Sequence, residues 1–134
     1  MKQNAFLIIL CLITSILSAQ TLTSDGFIIS ISNIKSETGT TNMAGTTYNY
    51  NEYTGNYTIE KDGVLIAKQS FSSLQLNNGA VNVNIKNKAG YGNTVTYDYD
   101  SKRMEYRYEK YKIKKPKNTY DIILNAILIY AKTD

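Results

Sequence analysis

Histidine and tryptophan are absent from the 134-residue sequence, and cysteine and proline occur once each. Without histidine, the chain cannot assemble a Ser-His-Asp triad, a Cys-His pair or a zinc site that uses histidine. The tight acidic pair Asp98 and Asp100 is of a kind common on solvated strand faces. We therefore expect a protein that is not an enzyme and holds neither a metal nor a cofactor.

A long hydrophobic run is also missing, because the apolar stretch at residues 5–17 is shorter than the roughly 20 residues that span a bilayer. Lys2 precedes this stretch and the small residue Ala19 follows it, which is the pattern of a signal peptide at residues 1–19. Cleavage there removes Cys11, the single cysteine, so no disulfide is available to the remaining chain. We expect residues 20–134 to form one exported β domain, periplasmic or extracellular and not transmembrane after cleavage.

The rest of the sequence is dominated by period-two alternation, as in Phe27, Ile29 and Ile31. This pattern favours a mostly β fold, an antiparallel meander of about seven to nine strands arranged as a small barrel or a sandwich. The C-terminal segment 120–130 is open to two interpretations. Asn118 or Thr119 would cap a helix with Asp121 in its first turn, whereas the β-branched residues favour a final strand.

Two dipeptides predict hairpins, Asn78-Gly79 and Asp62-Gly63, because both residues of a type I′ turn need positive φ. A two-residue turn at Asn78-Gly79 sets Leu76 opposite Val81. The expected buried face of this hairpin consists of Leu74, Leu76, Val81, Val83 and Ile85. The Thr- and Gly-rich segment 36–47 shows no period and is predicted to be a long loop.

Tyrosine alternates with charge in the stretch TVTYDYDSKRMEYRYEKYKIKK, which begins at Thr94. A turn at residues 100–103 would pair Tyr99 with Met104, Tyr97 with Tyr106, and Val95 with Tyr108. The parity changes after Tyr108, since Tyr111 and Ile113 are odd-numbered. A bulge or strand break near Glu109-Lys110 is therefore predicted, which would keep the lysines in solvent.

Charge is concentrated in one segment of the chain. The formal net charge is +4, and residues 102–117 alone contain eight basic and two acidic side chains. Such clusters attract anions, and export makes a nucleic acid an unsuitable partner. The alternative is a solvated edge strand whose lysines discourage aggregation. The candidate binding residues are Tyr106, Tyr108, Lys110, Lys112 and Lys114.

These observations favour an exported, non-catalytic binding module for a small apolar ligand or an anionic glycan. The alternative function is a structural or protein-interaction domain of the cell envelope that takes no small ligand.

Overall fold

The structure is a computed structural model that describes residues 20–134. The predicted signal peptide at residues 1–19 lies outside the described residues. The elements are β1 (Gln20–Ser24), β2 (Phe27–Met43), β3 (Thr46–Lys61), β4 (Val64–Leu76), β5 (Val81–Lys86), β6 (Gly92–Asp98), β7 (Arg103–Tyr106), β8 (Glu109–Lys112) and α1 (Thr119–Thr133).

The eight strands form one sheet in which every strand pairs with its neighbours in sequence, and all seven pairings are antiparallel. This arrangement confirms the predicted meander. The single sheet curves into a half-barrel. One helix, α1, follows the last strand and contacts β1, β2, β5, β6 and β7. We call the sheet face that shares the hydrophobic core with α1 the core face, and the opposite side the outer face.

Strand β5 shows why these residues form a sheet with two different faces. Val81, Val83 and Ile85 are completely buried on the core face, whereas Asn82 and Asn84 point to the outer face. The side chains of a strand alternate between faces, so the pattern VNVNIK matches this environment at every position. The same alternation supplies core residues from β2, β3, β6 and β7.

The segment 36–47 is not a loop, and that prediction is wrong. It forms the second half of β2 and the start of β3, which pair from Lys35 with Thr54 to Met43 with Thr46. Ala44 and Gly45 make the connecting turn with φ of 53° and 82°. Pairing with a neighbouring strand satisfies the backbone of a segment whose side chains carry no apolar period.

The predicted register of the Asn78-Gly79 hairpin is also wrong. Gln75, not Leu76, lies opposite Val81, and Ser73 lies opposite Val83. The connection is longer than two residues, and its positive φ of 53° belongs to Asn77. Leu74 and Leu76 consequently point to the outer face, where Leu74 is 37% exposed.

The predicted Asp62-Gly63 turn is confirmed, with φ of 51° and 84°. Lys61 pairs with Val64 across it, as a two-residue type I′ turn requires.

The hairpin of β6 and β7 pairs Tyr97 with Met104. The expected register, in which Tyr99 met Met104, is therefore wrong by two residues. A shift of two keeps every side chain on its face, so Tyr97 and Tyr106 are buried. The other two tyrosines of the expected aromatic face, Tyr99 and Tyr108, are exposed.

Helix α1 resolves the open interpretation of the C-terminal segment. The Asn118 side chain accepts a hydrogen bond from the Asp121 backbone N–H at 3.0 Å, and Asp121 lies in the first turn. The buried residues of the helix include two consecutive runs, 122–124 and 126–130. A helix that is apolar on most of its surface is stable only when it is enclosed by the fold, and here it completes the core of the half-barrel.

Candidate anion-binding site

Two tight reversals bring the basic segment of the chain together at one end of the sheet. The first connects β6 to β7, where the Lys102 N–H donates to the Asp98 carbonyl at 2.8 Å and the Asp100 N–H donates to the Asp98 carboxylate at 2.9 Å. These bonds fix the turn from which Ser101 and Lys102 project. Lys102 has a φ of 58°, which is uncommon outside glycine, asparagine and aspartate.

The second reversal lies at Arg107 and Tyr108, whose φ angles are 52° and 67°. Tyr106 and Glu109 pair across it. The predicted break in the strand therefore exists, but it comes before Glu109 and is a two-residue turn instead of a bulge. As expected, Tyr111 and Ile113 pack against the core, and the alternating Lys110, Lys112 and Lys114 are exposed.

Strand β8 then returns beside β7, which places Lys112 directly opposite Arg103. A cavity of about 340 Å³ lies at this end of the two strands. Its lining consists of Tyr97, Ser101, Lys102, Arg103, Lys112, Ile113 and Lys115. We call it the basic cavity, because four of its seven lining residues are cationic.

The cations of the basic cavity have no carboxylate partner within residues 20–134. The ion pairs of this part of the chain join Arg107 to Asp134 at 3.0 Å and Lys132 to Asp25 at 2.7 Å, both elsewhere. Asp98 is the register partner of Arg103 on the other side, but its carboxylate bonds to the Asp100 N–H and no ion pair forms.

The pairing of Arg103 with Lys112 has an energetic consequence. Like charges directly opposite each other in an antiparallel sheet repel and destabilise the pairing. By contrast, the next pair on the same face, two residues along each strand, sets Lys110 opposite Glu105. Folding therefore leaves the positive charge of Arg103 and Lys112 uncompensated at the basic cavity. An anion bound there would neutralise this charge and relieve the repulsion.

The structure divides the five sequence-predicted binding residues among different environments. Lys112 lines the basic cavity, whereas Lys110 and Lys114 are exposed outside it. Tyr106 is only 3% exposed and belongs to the core, and Tyr108 is 97% exposed at the turn.

Sequence reasoning missed the remaining polar members of the cavity. These are Ser101, Lys102, Arg103 and Lys115. All except Ser101 belong to the basic segment 102–117, so the signal was present in the charge count. Their convergence depends on the turn at Arg107-Tyr108, a dipeptide without the residues that mark type I′ turns.

Tyr106 belongs to a partly buried network at the C-terminal end of α1. Its hydroxyl lies 3.3 Å from both carboxylate oxygens of Asp134, and its ring packs edge-on against Tyr130 with centroids 6.3 Å apart. Burial, reinforced by the negative charge of Asp134, raises the pKa of Tyr106 to about 12. Burial also raises the pKa of Tyr57, whose hydroxyl donates to the Lys86 carbonyl. These hydroxyls therefore stay protonated at neutral pH and act as hydrogen-bond donors.

A second cavity, of about 400 Å³, lies beside this network. Its lining is Ile59, Ile66, Ala67, Asn87, Lys88, Ala89, Tyr130, Ala131 and Asp134. We call it the helix-end cavity. Apolar side chains from β3, β4 and α1 form most of its wall, with a few polar groups at the rim.

Residues 20–134 contain no group of three or more acidic, histidine or cysteine side chains positioned to hold a metal ion. In this same part of the chain, no helix has the length and apolar character needed to cross a membrane.

Comparison of the chain with protein-family models, with curated proteins and with solved structures finds no match.

Proposed function

We propose that the protein is an exported, non-catalytic binding module that takes an anionic glycan at the basic cavity. The observation that carries this proposal is that one cavity is lined by Lys102, Arg103, Lys112 and Lys115. None of these four cations forms an ion pair with a carboxylate of residues 20–134. Lysine and arginine side chains offer only hydrogen-bond donors, which suits sulfate, phosphate or carboxylate groups.

The aromatic residues next to the cavity favour a glycan over a bare inorganic anion. Tyr97 lines the cavity, and its ring contacts that of Tyr99 with centroids 4.9 Å apart. Tyr99 is 44% exposed, so its ring offers solvent a flat apolar surface. Such a surface packs against the C–H face of a sugar ring while the neighbouring cations bind the acidic substituent.

Calorimetric titration with two probes tests the proposal, a sulfated heparin oligosaccharide and a polygalacturonate oligosaccharide. Arg103→Gln/Lys112→Gln removes two cavity cations, and each charge-assisted hydrogen bond contributes roughly 1.5–3 kcal/mol. We expect the double variant to bind at least about tenfold more weakly, which corresponds to about 1.4 kcal/mol.

The matched control is Lys110→Gln/Lys114→Gln, which removes the same charge from the same segment outside the cavity. Because neither lysine lines the cavity, neither supplies a charge-assisted hydrogen bond to an anion bound there, so this control should lose less than about threefold in affinity. Equal losses for the two double variants would mean that the basic segment attracts anions without a defined site. Absence of binding to both probes would refute the proposal.

Tyr99→Ser separates a glycan site from a site for inorganic anions. This substitution should weaken binding of the heparin oligosaccharide and leave binding of inorganic sulfate unchanged. An equal effect on both ligands would argue that the ring of Tyr99 does not contact a sugar.

A small apolar ligand is the second candidate, and the helix-end cavity favours it. Ile59, Ile66 and Ala67 give this cavity an apolar wall, and Tyr130 places a polar group beside it. A fatty acid bound there would raise the melting temperature, since a ligand at a hundredfold excess over its Kd stabilises the native state by about 2.7 kcal/mol. Ala67→Trp should fill the cavity and abolish that shift. No shift with fatty acids or acidic glycans would favour the structural or interaction domain.

Export is part of the proposal. It is supported by Lys2, the apolar residues 5–17 and Ala19. Mass analysis of the secreted protein should find Gln20 at or near its N-terminus. A folded protein that retains Met1 inside the cell would contradict export.

A further inference from the structure

A second concave surface lies on the outer face of the sheet, away from the basic cavity. It is a cavity of about 430 Å³ across β2, β3, β4 and β5, which we call the polar groove. Its uncharged polar lining consists of three amides and three hydroxyls, namely Asn33, Asn56, Asn84, Thr54, Ser70 and Ser72. Lys35 and Lys86 flank these residues, and no carboxylate lines the groove.

The sheet register fixes the layout of the groove. Lys35 pairs with Thr54, Thr54 with Ser72, and Ser72 with Asn84, so these four side chains form one row across four strands. Neighbouring strands are about 4.8 Å apart, which makes the row about 14 Å long. Asn56 and Ser70 are register partners in the adjacent row, which runs alongside the first.

The polar side chains of the groove do not satisfy one another. Within residues 20–134, none of the three side-chain amides and three hydroxyls that line it forms a hydrogen bond to the chain. Elsewhere on the same face, the Thr96 hydroxyl donates to the Asn82 side chain at 2.8 Å. The groove thus keeps hydrogen-bonding capacity that comparable residues nearby use internally.

Two backbone features shape the ends of the groove. A bulge in β2 between Ser32 and Lys35 sets Asn33 at a φ of 52° beside the groove. On the opposite side, a Cβ atom at Gly92 would lie 2.5 Å from the Asn84 side-chain oxygen. Glycine at that position lets the Asn84 amide lie across β6.

We infer that the polar groove binds an uncharged, hydroxyl-rich saccharide chain, at a site separate from the basic cavity. Amide and hydroxyl side chains each donate and accept hydrogen bonds, as sugar hydroxyls do. An anion would use only the donors and leave the acceptors without a partner. The linings of the groove and the basic cavity share no residue. Along β6, Gly92 beside the groove residue Asn84 and Tyr97 at the basic cavity are five residues apart, or about 17 Å, so the two sites are physically distinct.

Titration of the isotope-labelled protein with maltohexaose, cellohexaose and chitohexaose, followed by NMR, tests this inference. At least one of these should bind saturably, with a Kd of about 1 mM or tighter, and should shift the backbone amide signals of residues 54–56, 70–72 and 84–86. Arg103→Gln/Lys112→Gln should bind that oligosaccharide with unchanged affinity, which separates this site from the basic cavity.

Thr54→Val/Ser72→Ala removes two groove hydroxyls with little change of shape and should weaken binding at least about tenfold. Thr58→Val is the matched control, because Thr58 lies on the same face of the same strand outside the groove. It should leave affinity unchanged, and the melting temperatures of both variants show whether they are folded. The inference would be overturned if none of the three oligosaccharides bound saturably. It would also be overturned if the double variant and the wild type bound with equal affinity.

Discussion

Phe71 and Leu74 cannot both lie on the core face of β4. They are three residues apart, so a regular strand must place them on opposite faces. Phe71 is 3% exposed and pairs with Ile85 on the core face, whereas Leu74 points outward opposite Asn82. The burial of Phe71 in the core goes with a register of β4 against β5 in which Leu74 lies on the outer face.

A pair of truncations tests this register. Ile85→Ala removes a completely buried side chain and should lower the free energy of unfolding by about 2–5 kcal/mol. Leu74→Ala, on the outer face, should lower it by about 1 kcal/mol or less. Urea denaturation measures both. A larger loss for Leu74→Ala than for Ile85→Ala would show that Leu74, not Phe71, belongs to the core.

The Tyr106 hydroxyl makes the free energy of unfolding depend on pH in the alkaline range. Its folded pKa of about 12 exceeds the ordinary tyrosine pKa of 10.0, so the folded chain holds the proton more tightly than the unfolded chain does. Its contribution to stability is therefore complete below about pH 10 and is lost as the pH rises from about 10 to about 12. Asp134 contributes to this shift because a tyrosinate beside its carboxylate would be repelled.

Tyr106→Phe removes this titration. Relative to wild type, the variant should lose less stability between about pH 10 and about pH 12, while below about pH 9 the difference between the two proteins should stay constant. Chemical denaturation across the pH series gives both curves. Curves that remain parallel through the alkaline range would contradict the assigned role of Tyr106.

Among the elements, α1 depends on its N-terminal cap. The Asn118 side chain accepts from the Asp121 N–H, and the Asp121 carboxylate in turn accepts from the Lys117 N–H at 2.7 Å. This arrangement satisfies the Asp121 N–H, a first-turn donor that otherwise lacks a helical partner, and the N–H of Lys117 just before the cap.

Asn118→Ala should lower the free energy of unfolding by about 1 kcal/mol, within a range of about 0.5–2 kcal/mol. Asn118→Ser keeps a side-chain oxygen that can accept the same bond, so it should restore most of the loss. Urea denaturation of the three proteins makes the comparison. Equal destabilisation by alanine and serine would mean that the cap does not support the helix.

The turns show how far the sequence predicts the fold. The Asp62-Gly63 turn could be predicted because both residues tolerate positive φ, and the helix cap was visible in Asn118 and Asp121. The turns at Ala44-Gly45 and Arg107-Tyr108 place Ala44, Arg107 and Tyr108 at positive φ, where local preference is unfavourable. Pairing of the strands on both sides of each turn imposes those conformations. The local sequence therefore does not predict these two turns.

On the scale of the whole molecule, the sequence predicts the core better than it predicts the charged surface. The meander and its buried face were predictable, because alternation along each strand reports which side chains meet the core. The basic cavity was predictable only in part. Lys112 was identified from the basic segment, but Lys102, Arg103 and Lys115 join it through two chain reversals.

We propose two chemically different binding sites on one β domain. One is a cationic cavity at the end of β7 and β8, and the other is an uncharged groove across β2 to β5. Because they use different side chains, variants of one should leave the other intact.

The most direct test of the basic cavity is an NMR titration of the labelled protein with a sulfated heparin tetrasaccharide. Saturable shifts should be largest at the backbone amides of residues 101–103 and 112–115, whose side chains include the four cations of the cavity. Residues beside Lys35, Lys68 and Lys110, which are equally charged and lie outside it, should change little. Shifts that grow without saturation, or that spread evenly over every lysine-containing strand, would contradict a defined anion-binding site.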